Sequence, residues 1–86
     1  MTIQEACKEL YEQYDQRFKN YVEVNKGAIM SSASFKRDIA KICSYAQDIN
    51  ELDAMRLSAV VHSRDKKCMN FSKYYMQIID EIKSKL

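Results

Sequence analysis

Apolar residues recur along this chain at alternating steps of three and four, the spacing that gathers them on one side of an α-helix. The last such stretch is the clearest. Cys68, Phe71, Tyr75, Ile78, Ile82 and Leu86 share a side, and Tyr74 and Ile79 widen it. Lys73, Gln77, Asp80, Glu81, Lys83 and Lys85 fall outside. A face of that kind is costly to leave in water, so the rest of the chain must cover it.

The first stretch follows the same rule. Ile3, Cys7, Leu10, Tyr14, Phe18 and Tyr21 form its apolar side, flanked by Ala6, Tyr11 and Val22, with Glu12, Gln13, Gln16, Lys19 and Asn20 outside. Thr2 and Glu5 have the spacing of a capping box, in which each side chain satisfies a backbone N–H at the helix start. Gly27 suits a left-handed C-terminal cap, so this helix is expected to stop near Lys26. A second helix starts at Ser31, Ser32 or Ser34. Phe35, Ile39, Ile42, Ala46 and Ile49 are expected on its core side with Cys43 beside them, and Lys36, Arg37, Asp38 and Lys41 outside. Asp48, Ile49 and Asn50 read as a corner, with Asn50 capping a third helix and Glu51 and Asp53 in its first turn. Leu52, Met55, Ala59 and Val60 then lie on one side, whereas Leu57 and Val61 lie towards another.

His62 to Lys67 admits two readings. The run His-Ser-Arg-Asp-Lys-Lys is polar enough to end the third helix and start a fourth near Cys68 or Asn70. With no Gly or Pro in the run, one helix from Glu51 to Lys85, about 50 Å long at 1.5 Å per residue, is the alternative. The break is the favoured reading, because a helix of that length would project beyond anything the first helix can cover.

Composition narrows the class. The chain has 86 residues, one glycine and no proline. Tight sheet turns draw on Gly, Pro and Asn-Gly or Asp-Gly pairs, which are missing, so the expected fold is all-α, an antiparallel bundle of three or four helices forming a single domain. The formal net charge is +2. Nearly all the excess falls after Val60, and it is modest for a dedicated nucleic-acid binder. Three cysteines at long spacings make no disulfide framework. No secretory signal and no apolar run of membrane length is apparent, so a cytoplasmic protein without membrane contact is expected.

Candidate chemistry is sparse. His62 is the sole histidine, and neighbouring Ser63 projects about 100° away from it on a helix, so no nucleophile–base pair is evident. Cys7, Cys43 and Cys68 lie on or beside apolar stripes, where buried thiols act as small hydrophobes. No enzyme activity, metal or cofactor is therefore expected. The six tyrosines carry the strongest functional hint. Tyr11, Tyr45, Tyr74 and Tyr75, with Met76, combine apolar bodies with polar or pliable tips, as interfaces do. They point to a non-enzymatic protein–protein interaction module, a small regulator, inhibitor or adaptor, and to a homodimer. The alternative is a nucleic-acid-associated regulator using Lys36, Arg37, Arg64, Lys66, Lys67 and Lys73 on phosphates. A weaker third option is a ligand pocket between helices lined by Tyr14, Phe18 and Tyr75.

Overall fold

A capping box opens the chain as its spacing predicts. The Glu5 N–H donates to Thr2 Oγ1 at 3.1 Å, and the Thr2 N–H donates to the Glu5 carboxylate at 3.1 Å. Helix α1 then runs Ile3–Val24, followed by α2 (Ser32–Cys43), α3 (Ile49–His62) and α4 (Met69–Lys85). The structure, a computed structural model, describes residues 1–24, 32–67 and 69–86. The expected stop at Lys26 and Gly27, the Ser31 cap and the placement of Cys68 fall outside the described residues. The described part is an all-α bundle without strands.

Side-chain pairs fix how the helices run. Cys7 and Ala40 share one cleft, and Asp15 pairs with Arg37. Gln4 Nε2 donates to the carbonyls of Ser44 and Ala46, so α1 and α2 are antiparallel. Tyr14 meets Glu81, and Glu9 meets Lys85, so α4 is also antiparallel to α1. Arg56 pairs with Asp80, and Asp53 with Lys83, which makes α3 and α4 an antiparallel hairpin. The core is where α1, α2 and α4 converge. Ile3, Ala6, Cys7, Leu10, Tyr14, Ile39, Ala40, Cys43, Ala46, Leu52, Ile78, Ile79 and Ile82 are all buried in one cluster. Helix α3 leans chiefly on α4. The molecule is consequently a slab, 40 × 33 × 18 Å, with a radius of gyration of 13.3 Å. A sphere-like domain of this length would have a radius near 12 Å.

The chain breaks at residues 63–67, as the favoured reading expects. With no Gly or Pro available, polar side chains do the terminating. Ser63 Oγ donates to the Val60 carbonyl, and the Lys67 N–H donates to the Asp65 carboxylate. The Asp65 N–H closes the turn on the His62 carbonyl.

Several expectations need correction; Phe71 and Leu86 in the α4 stripe and Tyr21 in the α1 stripe are exposed rather than covered. Helix α2 ends at Cys43, and within it Ile39, Ala40 and Cys43 take the core side, leaving Ile42 42% exposed. Ile49 belongs to the start of α3 and is exposed rather than closing the α2 stripe. The cap of α3 is Asp48, which accepts from the Glu51 N–H at 2.9 Å, and Asn50 is already helical. The Glu51 carboxylate, three positions after the cap, accepts from the N–H of Gln47, the residue before the cap.

Candidate interaction surface

Helix α3 carries apolar residues on two opposite sides. Leu52 and Ala59 are buried against the bundle and Met55 is half-buried. At about 100° per residue, Leu57 and Val61 point roughly 180° away from Leu52 and Ala59. They are 65% and 55% exposed. From Leu57 to His62 the helix has no Asp, Glu, Lys or Arg on any side. Ala54 and Ser58, also exposed, complete that outer side.

The outer side grades into a groove of about 550 Å³ between α3 and α4, lined by Ala54, Met55, Ser58, Ala59, His62, Phe71 and Tyr75. The wall contributed by α3 is low because three of its members are Ala or Ser. Phe71 is 44% exposed. It packs edge-on against Phe35 and Tyr75, with centroids 6.0 and 5.2 Å away, and Phe35 stacks on Tyr74. Phe35 of α2 thus backs the α4 wall. His62 Nδ1 lies 2.7 Å from the Ser58 carbonyl, an acceptor, so Nδ1 carries the proton and donates. That bond ties the imidazole to its own helix and leaves Nε2 as the acceptor nitrogen.

The expected interface residues separate. Tyr74, Tyr75, Met76 and Tyr11 are half-buried, and Tyr45 is 76% exposed beyond the end of α2. Only Tyr75 lines the α3–α4 groove. Tyr11 lines a second cleft of about 390 Å³ between α1 and α2, with Gln4, Cys7, Lys8, Ala40 and Lys41. Tyr14 and Phe18 line neither cleft. Tyr14 is instead a core residue, its hydroxyl donating to Glu81 at 2.9 Å. Burial, and then the adjacent Glu81 carboxylate, push its phenol up to about 12.

The basic residues divide into two groups. Lys36 lies over the rings of Tyr14 and Tyr74, at 5.5 and 5.4 Å. Arg37 pairs with Asp15 and Asp38 and covers the Phe18 ring. With Lys19, Arg37 holds the Asp15 carboxyl below the usual carboxylate range. Arg64, Lys66, Lys67 and Lys73 are exposed, and among the described residues none of them forms an ion pair. The first three lie in the link joining α3 to α4 at the His62 end of the groove.

Among the described residues, no cluster of His, Cys, Asp and Glu could hold a metal ion, and no helix is long and apolar enough to cross a membrane. No protein-family model, curated protein or solved structure matches the chain. The surface must therefore be read from its own chemistry. Sequence pattern had separated Leu57 and Val61 from the core side. It did not single out Ala54 and Ser58, and it placed Phe71 on the covered side of α4, although the charge-free run after Arg56 is visible.

Proposed function

We propose that this protein is a non-enzymatic interaction module, a small regulator, inhibitor or adaptor, that docks a macromolecule on the outer side of α3 and the adjoining groove. One observation carries the reading: from Leu57 to His62, α3 has no Asp, Glu, Lys or Arg on any side, yet only one side of it is covered. A helix that is apolar all round is ordinarily buried. Isolated exposed apolar side chains are normal. Here Leu57 and Val61 sit one turn apart and run into an apolar groove, which makes a contiguous patch of the sort that marks binding sites.

A photo-cross-linking residue at position 57, compared with one at position 19 on the far side of α1, tests this in the cells that make the protein. Adducts heavier than the monomer are expected from position 57 and not from position 19. A monomer band alone from both would overturn the proposal.

The nucleic-acid reading draws its support from the unpaired exposed charges of Arg64, Lys66, Lys67 and Lys73. It requires affinity for labelled DNA or RNA duplexes that falls steeply as salt is added. Absence of binding at low salt would dispose of it.

A further inference from the structure

Resting on the interaction reading above, we propose that the occupant of the outer α3 side is a second copy of this chain, docked with the two α3 helices antiparallel across a two-fold axis. Asn50, Ala54, Leu57 and Val61 follow one another at steps of four, three and four, the spacing of a seam between paired helices. All four are exposed. Ala54 is small enough to let the partner chain come close where it leaves its own α3.

Charge selects the occupant. At the start of α3, Asp48 and Glu51 are exposed, and among the described residues each carboxylate accepts from a backbone N–H and forms no ion pair. Beyond its end, Arg64, Lys66 and Lys67 face solvent around a single Asp65. Asp53 and Arg56 are matched within the molecule by Lys83 and Asp80. The surface therefore has an acidic end, an uncharged middle and a basic end. An antiparallel pair lays acidic on basic at both ends, whereas a parallel pair lays like on like. Complementarity to itself about a two-fold axis is what an isologous dimer requires. With the axis at the level of residue 59, Leu57 of each copy faces the partner subunit's Val61. Glu51 then reaches towards the partner subunit's Arg64 and Lys67. One helix face is smaller than the roughly 800 Å² per partner of a standard interface, so the dimer forms at about 10 µM to 1 mM.

Sedimentation equilibrium of the full chain over that range tests the assignment. Wild type is expected to dimerise and Leu57→Lys to remain monomeric, with unchanged far-UV circular dichroism. Glu51→Lys alone, and Arg64→Glu with Lys67→Glu in one chain, should each raise the dissociation constant about five- to ten-fold. An equimolar mixture of the two should recover wild-type affinity, because only the mixed dimer sets opposite charges together at both ends. A wild type that stays monomeric, a Leu57→Lys protein that dimerises normally, or a mixture no tighter than its components would overturn the proposal. If the wild type is monomeric while position 57 still yields adducts of another mass, the second copy is refuted and the interaction reading survives.

Discussion

Replacing Tyr14 by Phe removes one hydroxyl from the junction of α1 and α4 and leaves the ring in place. The hydroxyl donates to both Glu81 carboxylate oxygens, at 3.0 and 2.9 Å, and the residue is 2% exposed. Hydrogen bonds to charged groups contribute about 1.5–3 kcal/mol. Glu81 is half-buried, so water can return to its carboxylate in the variant, and the lower part of that range applies. A loss of about 1.5–2 kcal/mol is expected, equivalent to a fall in Tm of roughly 6–16 °C for a domain of this size. Urea unfolding followed by circular dichroism measures it, with an unchanged m-value showing that the unfolded state is the same. A double-mutant cycle with Glu81→Gln separates the bond from the rest of each side chain. A loss below about 0.3 kcal/mol, or strictly additive variants, would refute the coupling.

The same hydroxyl and two thiols contribute stability that alkaline pH removes. Burial lifts Cys7 to about 11, and burial with the neighbouring Cys7 lifts Cys43 to about 12; Tyr14 reaches about 12. Each folded value is raised above the ordinary one, so the folded state binds the extra protons. The stabilisation is complete below pH 9 for the thiols and pH 10 for the phenol, and it is lost as pH rises through 11 to 12. Urea midpoints measured across that window should fall steeply, and less so in Tyr14→Phe. Cys7 and Cys43 should also resist maleimide at neutral pH in a Cys68→Ser background and react fully in denaturant; rapid native labelling would contradict their burial. Thr2→Ala should cost about 1 kcal/mol and expose the first-turn amides of α1 to hydrogen exchange, leaving α4 unaffected.

Much of the fold was legible because helix spacing and capping are local. Thr2 and Glu5 announced the start of α1, and Ile78 and Ile82 announced the buried side of α4. What was not legible depends on where an element stops. Within α2, Ile39, Ala40 and Cys43 take the buried side and leave Ile42 outside it, while Ala46, past the helix end, reaches the core from the corner, held by Gln4 from α1. No pattern within α2 contains that information. Arg37 was placed outside by periodicity, yet Asp15 and the Phe18 ring on α1 draw it in. The candidate surface was half visible for a similar reason. Leu57 and Val61 stand out in sequence, but the groove beside them exists only because α4 folds back with Phe71 and Tyr75 opposite Ala54 and Ser58.

Helix α3 has one substantial neighbour, and α1, α2 and α4 meet without it. Its amides should therefore trade hydrogen for deuterium through an opening that costs less than melting the whole chain. Anything seated on its far side would act as a brace, slowing that exchange in α3 while the clock of the other helices kept its pace.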